Sequence, residues 1–327
     1  MSESTQRIIE ANGIHLHIAE QGSGPAVILC HGFPESWYSW RHQIEALAAA
    51  GFHAIAPDLR GYGKSDCPEA IDRYTVFHMV GDMVGILDVL EVPTAVIAGH
   101  DVGANVAWQG ALWRPDRFRA VVGLSVPFRP RGQMAPTSVM PRTAEAQFYQ
   151  LYFQEPGVAE AEFDRDPRET IRNMLFAGSG DAQVSGGGTN FAMVPRGGLF
   201  LRGARAPDAL PPWLDERDID FYAREFKRTG FRGALNWYRN IDRNWDLSAP
   251  FAGAQVRVPA LYIAGEKDMV VSAPGMDQLL ANLKTFVPEL RDKRMLPGCG
   301  HWTQQERPDE VSAAMIDFLH KTPERKK

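Results

Sequence analysis

Short apolar runs alternate with longer amphipathic stretches over the first 126 residues. Ile8–Ala11 and His15–Ala19 flank Asn12-Gly13, a pair typical of a tight hairpin turn. After this hairpin, the pattern predicts strands at 26–30, 53–57, 94–98 and 120–126, and helices at about 37–50, 75–90 and 104–113. Such alternation predicts an α/β fold with a mostly parallel central sheet and helices on both faces.

The alternation fails in the middle of the chain, where proline, glycine and amphipathic helix-like pieces become more frequent. Strand and helix patterns resume over Pro259–His320. We therefore predict a mainly helical cap inserted between the sixth and seventh core strands, with the core formed by 1–128 and 247–327 and the cap by 129–246. Within the cap, we expect a mobile rim of an entrance in the glycine-rich loop marked by Gly178–Gly180 and Ser185–Gly188.

The clearest chemical signal is Gly99-His-Asp-Val-Gly103, which follows a predicted strand and precedes a predicted helix. Small residues two before and two after the centre allow a strained turn that presents one side chain, as in the Gly-x-nucleophile-x-Gly elbow. The centre here is Asp101. A carboxylate that attacked an ester would form an anhydride, so it is suited instead to displacement at an electrophilic sp3 carbon. Taken alone, the pattern also fits an ordinary turn with a helix-capping aspartate.

Two later segments supply partners for such a nucleophile, in the chain order nucleophile, acid, histidine. Pro259–Gly265 is predicted as a short buried strand, and Asp268 follows it. Asp292–Pro297 is predicted as another strand, and glycines in the loop after it allow the chain to present His301. Asp268 is therefore the candidate acid, and His301 is the candidate base.

A fourth element lies upstream. Ala26–Cys30 has the continuous apolar character of a central parallel strand, and His31-Gly-Phe-Pro34 follows at its carboxyl end, where open α/β sheets bind ligands. The backbone N–H groups of Phe33 and Val102 are candidates for an oxyanion hole that stabilises a tetrahedral anion. We expect a cis Phe33-Pro34 bond that directs the Phe33 N–H inward.

Composition narrows the classes of partner. With 327 residues, of which 44% are hydrophobic, the chain can bury one large domain and a smaller one. The formal net charge of −5 argues against nucleic acid or an anionic membrane as a partner. Cys30, Cys67 and Cys299 are too widely spaced for a disulfide framework or a metal site, so we expect a cytoplasmic protein. We expect neither a signal peptide nor a membrane span, because no apolar run reaches ~18 residues.

Six segments carry a family pattern: His31–Trp40, Asp58–Gly63, Gly99–Gly103, Tyr149–Gly157, Asn236–Asn240 and Gly300–Thr303. Together they resemble the soluble epoxide hydrolases of the α/β-hydrolase fold, over about residues 6–320. The resemblance implies a two-step hydrolysis of a small hydrophobic epoxide by water to a vicinal diol, with no cofactor or metal. It implies Asp101 as the nucleophile, His301 as the water-activating base and Asp268 as the acid that orients it. This family commonly has Trp after the nucleophile, whereas Val102 stands here, which puts the shape of the adjacent pocket in doubt.

The same resemblance implies that Tyr149 and Tyr238 are cap phenols that hold the epoxide oxygen. A phenol, with an ordinary pKa of about 10, stays protonated at neutral pH and can donate a hydrogen bond to a developing alkoxide. From the residues alone, the aromatic stripe around Tyr149 could equally pack against the core, and Tyr152 competes with Tyr149 within it. The residues predicted to line an apolar substrate pocket are Phe33, Trp37, Tyr38, Val102, Tyr152 and Trp302.

Two other functions stay open at this point. A haloalkane or haloacid dehalogenase would use the same Asp101, His301 and Asp268, but Val102 offers no side-chain hydrogen bond to a leaving halide. A non-catalytic ligand-binding protein of the same fold is the second, and the unbroken catalytic set argues against it. The oligomeric state is open too, with a homodimer as one option.

Overall fold

An eight-stranded sheet forms the centre of the protein in the computed structural model, which describes residues 4–182 and 192–322. The strands are β1 (Thr5–Ala11), β2 (Ile14–Gln21), β3 (Ala26–Cys30), β4 (His53–Pro57), β5 (Ala95–His100), β6 (Phe118–Leu124), β7 (Ala146–Phe148), β8 (Met193–Pro195), β9 (Ala260–Gly265) and β10 (Leu290–Leu296). The order in the large sheet is β1-β2-β4-β3-β5-β6-β9-β10, and β7 pairs with β8 outside it. β2 runs antiparallel to β1 and β4, and the other neighbours in the large sheet are parallel.

Helices lie between the strands and at the chain end. They are α1 (Arg41–Ala49), α2 (Val76–Val89), α3 (Val102–Trp113), α4 (Pro136–Val139), α5 (Tyr149–Tyr152), α6 (Val158–Phe163), α7 (Pro167–Ala177), α8 (Glu216–Thr229), α9 (Arg232–Arg239), α10 (Ile241–Leu247), α11 (Met276–Ala281), α12 (Leu283–Phe286), α13 (Thr303–Glu306) and α14 (Pro308–His320). Three short 3-10 turns cover Trp37–Trp40, Ile71–Tyr74 and Ala249–Phe251.

The sheet carries an apolar core on each face. Every residue of β3, β5, β6 and β9 is buried, as their continuous apolar runs predict for central parallel strands. Because successive strand residues point to opposite faces, Val27 packs with side chains of α1 and α14, whereas Ile28 packs with side chains of α2 and α3. This is the predicted α/β architecture with helices on both faces.

Most of the predicted core elements lie within two residues of the observed ones. The bounds of β3 and β4 coincide with the predicted strands, and the β1–β2 turn places Asn12 and Gly13 at φ 52° and 73°. The predicted helix at 37–50 divides into a 3-10 turn followed by α1. α3 begins at Val102, two residues earlier than predicted, because Asp101 itself is the N-cap of the helix.

Between β6 and β9 the chain leaves the large sheet and forms α4–α10 with the small β7–β8 pair. We keep 129–246 as the proposed extent of the cap. The predicted loop at Ser185–Gly188 lies outside the described residues. Its other marker, Gly178–Gly180, does not form a free rim, because Ser179 and Gly180 are buried and the Gly180 N–H donates to Glu306 of the core.

Helix length bears on the membrane prediction. α2 and α8, with 14 residues each, are the longest helices in the described parts of the chain. A bilayer crossing takes ~20 predominantly apolar residues. None of the described helices meets that requirement.

The parallel strands end at one edge of the sheet, and the residues that follow them converge there. His31 follows β3, Asp101 follows β5, and Ser125 follows β6. Asp268 and His301 lie in the loops after β9 and β10. The fold thus brings the predicted residues Asp101, Asp268 and His301 to the same edge, although Asp101 and His301 are 200 positions apart in the sequence.

Candidate active site

Asp101 occupies a strained turn between β5 and α3. Its backbone has φ 54° and ψ −121°, a conformation that non-glycine residues rarely adopt. The flanking glycines make this turn feasible: a Cβ on Gly99 would lie 2.1 Å from the Gly103 carbonyl oxygen, and a Cβ on Gly103 would lie 2.3 Å from that of His31. The turn holds the Asp101 side chain at the sheet edge with 8% of the residue exposed.

Two carboxylates flank the His301 ring, one at each nitrogen. His301 Nε2 lies 3.5 Å from Asp101 Oδ2, and Nδ1 lies 3.0 Å from Asp268 Oδ1. All three residues are buried, Asp268 completely. The Asp268 contact fixes the ring orientation and leaves Nε2 facing Asp101, which is the arrangement that a general base beside a nucleophile requires.

The three groups set one another's protonation. Burial alone would raise the pKa of Asp101 and Asp268 and lower that of His301. The hydrogen bond and charge of His301 outweigh burial and hold the pKa of both carboxyls below their ordinary values. The two carboxylates in turn raise the pKa of His301 well above its ordinary value. These shifts favour an ionised Asp101 beside a protonated His301.

An amide of the loop after β3 holds the other oxygen of the nucleophile. The Phe33 N–H donates to Asp101 Oδ1 over 3.0 Å, and the Phe33-Pro34 bond is cis, as expected from the sequence. Gly32 permits this approach, because a Cβ there would lie 2.6 Å from Asp101 Cβ. Val102 is the first residue of α3, where a backbone N–H has no partner within the helix. Both predicted oxyanion-hole amides thus lie next to Asp101.

Tyr149 and Tyr238 meet above the core, on α5 and α9 of the cap. Their ring centroids are 6.3 Å apart, and the Tyr238 ring packs edge-on against Phe33 at 5.6 Å. Burial, followed by the charge of Asp101, raises the pKa of both phenols. The Gln150 side-chain amide donates to the Tyr149 hydroxyl oxygen over 3.0 Å, which leaves the phenolic proton free for another acceptor. Both phenols are therefore protonated donors close to the nucleophile.

Tyr152, the competitor of Tyr149, is engaged within the cap. Its hydroxyl donates to Glu162 Oε2 over 2.8 Å, and the same carboxylate accepts the N–H groups of Phe200 and Leu201. A phenolic proton bound to a carboxylate is not available to a substrate oxygen. These contacts therefore favour Tyr149 over Tyr152 as the donor, and the contact of Tyr152 with substrate stays a prediction.

Three other residues predicted to line the pocket, Trp37, Tyr38 and Trp302, make packing contacts, and their contact with substrate stays a prediction. Trp37 packs edge-on against Phe221 of α8, and Tyr38 stacks on the same ring at 4.1 Å. The Tyr38 hydroxyl donates to Asp218 over 3.0 Å, which ties it to the cap. Trp302 is buried edge-on against the His301 ring. Sequence reasoning missed these contacts because α8 lies about 180 positions further along the chain than the two aromatic residues.

A buried contact between a carboxylate and a histidine behind the elbow was also missed. His100 Nδ1 lies 2.7 Å from Glu35 Oε2, and Nε2 lies 2.8 Å from the His301 carbonyl oxygen. Glu35 also accepts hydrogen bonds from the Gly32 N–H and from two side-chain amides of α13, so it is ionised. Because its two ring nitrogens contact Glu35 and the His301 carbonyl oxygen, His100 joins the elbow to the base. The positions of these residues inside the motifs His31–Trp40 and Gly99–Gly103 are the signals that could have found them.

Ser125 was missed too. Its hydroxyl oxygen lies 3.1 Å from His301 Nδ1, on the side where Asp268 binds. Its backbone has φ 66°, and its carbonyl oxygen accepts the Tyr262 hydroxyl over 2.6 Å. These contacts place a second polar group beside the nitrogen that orients the base. Within the described residues, no group of three His, Cys, Asp or Glu side chains is arranged to hold a metal ion.

Known proteins share this arrangement of strands and loops. A family described as alpha/beta hydrolase fold matches residues 25–308. The chain is 45% identical over 322 residues to Epoxide hydrolase A of Mycobacterium tuberculosis, covering 98% of each chain. It is 44% identical over 317 residues to Epoxide hydrolase 3 of Siraitia grosvenorii, covering 96% of this chain and 97% of the other. A solved structure of an epoxide hydrolase from an endophytic Streptomyces has a TM-score of 0.94 at 43% identity, covering 98% of this chain and 96% of the other.

Proposed function

The chain belongs to the epoxide hydrolases with an α/β-hydrolase fold, and from that premise we propose that it opens hydrophobic epoxides to vicinal diols through an ester on Asp101. The family and the fold class predicted from the sequence are confirmed. One observation supports the proposed mechanism above the others: the carboxylate of Asp101 accepts an amide hydrogen bond, lies beside a histidine, and its charge helps burial to raise the pKa of two cap phenols. That set suits a carboxylate nucleophile whose ester is later hydrolysed.

Alkylation comes first. Because the Phe33 N–H holds Asp101 Oδ1, Oδ2 is the oxygen left to attack a ring carbon. The new Oδ2–carbon bond forms as the ring carbon–oxygen bond breaks, and the electron pair of the broken bond passes to the epoxide oxygen. Tyr149 and Tyr238 donate hydrogen bonds to that oxygen, and one of them supplies its proton.

Hydrolysis of the ester follows. Esterification of Asp101 removes one of the two carboxylates that raise the pKa of His301, so the imidazolium loses its proton more readily. Solvent carries that proton to the tyrosinate that alkylation left, which restores the phenol. Neutral His301, oriented by Asp268, then takes a proton from water through Nε2, and the water oxygen attacks the ester carbonyl. The negative charge develops on Oδ1, where the amides of Phe33 and Val102 stabilise it. The electron pair then returns to re-form the carbonyl, and the bond between the Asp101 carboxyl carbon and Oδ2 breaks. Oδ2 leaves with the diol and takes the remaining proton of the added water, so that Asp101 is again a carboxylate.

The surroundings of the phenols suggest an apolar substrate. Phe153 contacts the rings of Tyr149 and Tyr238 at 5.4 Å and 5.1 Å, and Phe200 contacts Tyr149 at 5.8 Å. Phe33 lies beneath Tyr238. These rings offer apolar contact area around two hydroxyl groups, which suits an uncharged epoxide with a hydrocarbon substituent.

Turnover of a broad epoxide panel, with chiral analysis of the diols, tests the activity. The intermediate is tested by His301→Gln, which should still be alkylated because displacement by Asp101 needs no base. Intact mass spectrometry of that variant with excess epoxide should show one substrate mass added. Loss of the adduct in the double variant Asp101→Ala, His301→Gln would assign it to Asp101. Halide release from alkyl halides without diol formation from any epoxide would instead support the dehalogenase alternative.

Two further expectations stay proposals. The three cysteines of the described residues are free thiols, which supports the reducing cytoplasm as the location of the protein. Cell fractionation tests this location. A homodimer is testable by sedimentation velocity.

A further inference from the structure

A buried carboxylate that takes no part in the steps above joins the base to the cap. Glu306, the last residue of α13, is 8% exposed. Its Oε1 accepts the Trp302 N–H over 3.0 Å, and its Oε2 accepts the Gly300 N–H over 2.8 Å. One side chain therefore holds the amides on both sides of His301.

The same carboxylate reaches the cap. Glu306 Oε2 also accepts the Gly180 N–H over 2.9 Å, at the point where the chain leaves α7. The His301 N–H donates to the Gly178 carbonyl oxygen over 2.8 Å, and Lys267 Nζ donates to that of Gly180 over 2.8 Å. The loop that carries the base is thus bound to the cap by backbone and side-chain hydrogen bonds.

Two glycines allow the loops to touch. A Cβ on Gly180 would lie 2.1 Å from the Gly298 carbonyl oxygen, and a Cβ on Gly300 would lie 2.2 Å from the Gly180 nitrogen. Side chains at either position would separate the two backbones and break the shared contact with Glu306. The close approach is therefore built from residue choices on both loops, independently of the carboxylate.

We propose that Glu306 is a positioning residue for ester hydrolysis: it holds the His301 loop against the cap segment 178–180 and so fixes His301 Nε2 for water activation. This rests on the proposed function, in which only the second step uses His301 as a base. Alkylation depends on Asp101 and the two phenols. Loosening the His301 loop should therefore slow hydrolysis of the ester and spare its formation.

Glu306→Gln tests this with little change in shape. An amide keeps one acceptor oxygen, and its NH2 group would face backbone N–H donors that the carboxylate satisfies at present. Displacement of a catalytic group by about 1 Å can cost 100-fold in rate. We expect ester hydrolysis to be at least about 10-fold slower, alkylation to stay within about twofold of wild type, and alkyl-enzyme to accumulate in the steady state.

The two steps are separated by rapid-quench single turnovers on the fastest epoxide of the panel, with intact mass spectrometry of the quenched protein. The control is Asp215→Asn, which alters a carboxylate whose backbone N–H partners lie within α8 itself and should leave both rates unchanged. Lys267→Met is a second variant that removes the bond to the Gly180 carbonyl oxygen and should slow ester hydrolysis in the same selective way.

Equal slowing of both steps in folded Glu306→Gln, or no change in either, would overturn the assignment. If Glu306→Gln does not fold, unchanged ester hydrolysis in Lys267→Met would overturn it. The His301→Gln adduct separates this result from failure of the proposed function. Adduct formation in that variant with normal hydrolysis in Glu306→Gln would refute only the role of Glu306.

Discussion

Removing one phenolic hydroxyl should slow alkylation without unfolding the protein. In Tyr238→Phe the ring keeps its edge contacts with Phe33 and Phe153, at 5.6 Å and 5.1 Å, so the packing survives. The variant loses only a donor that the charge of Asp101 and burial keep protonated. Tyr149→Phe removes the other donor in the same way.

The size of the effect follows from the chemistry of the first step. A well-placed donor to a developing oxyanion contributes about 2–4 kcal/mol to transition-state stabilisation, which corresponds to about a 30- to 900-fold fall in the alkylation rate. We expect the fall in alkylation rate for Tyr238→Phe to lie towards the upper end of this range. Tyr149→Phe should lie towards the lower end, because the Gln150 amide stays next to the position of the lost oxygen, 3.0 Å away in the wild type. The double variant should have no measurable turnover.

Single-turnover alkylation rates, with thermal melts as a check on folding, measure this directly. Tyr152→Phe is the matched control from the same helix, and it should lose about 1 kcal/mol of stability through its bond to Glu162 with no change in alkylation. A strong loss of alkylation in Tyr152→Phe with a silent Tyr149→Phe would refute the assignment of the cap donors.

Three further predictions concern the groups around the nucleophile. Glu35→Gln removes a fully buried carboxylate that contacts His100 over 2.7 Å and should lower the free energy of unfolding by about 3–5 kcal/mol in urea titrations; a loss below about 1 kcal/mol would contradict a stabilising role of this carboxylate. Asp101→Ala should lower the pKa of His301 in NMR titrations. Since folding raises that pKa, the wild-type contacts of His301 stabilise the fold below the unfolded value of about pH 6.5 and lose this contribution as the pH rises through the folded pKa. Gly103→Ala should reduce both the melting temperature and turnover, because its Cβ would lie 2.3 Å from the His31 carbonyl oxygen; an unchanged melt would contradict the elbow geometry.

Local sequence was sufficient for the strands and the main chemistry. The apolar run of β3 and the glycines around Asp101 are properties of a few consecutive residues, so their conformations could be predicted without tertiary information. The convergence of Asp101, Asp268 and His301 could be predicted from the sequence, because each follows a predicted strand and parallel strands end at a common edge.

Contacts between the core and the cap could not be predicted in this way. The contacts of the Tyr38 side chain depend on Phe221 and Asp218, which approach it only when the cap folds over the core. Tyr152 and Tyr149 are three residues apart on one short helix, and their hydroxyls differ in their partners, Glu162 for Tyr152 and Gln150 for Tyr149. Hydrophobic periodicity indicates that such residues are partly buried and does not identify the groups that they meet.

The central claim is that the carboxylate of Asp101 supplies the first oxygen transferred to the diol. A single turnover in oxygen-18 water with enzyme in excess tests it most directly. The account predicts mostly unlabelled diol in that first turnover, because the transferred oxygen comes from Asp101 and the solvent label enters the carboxylate afterwards. Label should then appear in diol during later turnovers. Fully labelled diol in the first turnover would show that water activated by His301 attacks the epoxide directly, and would contradict the ester mechanism.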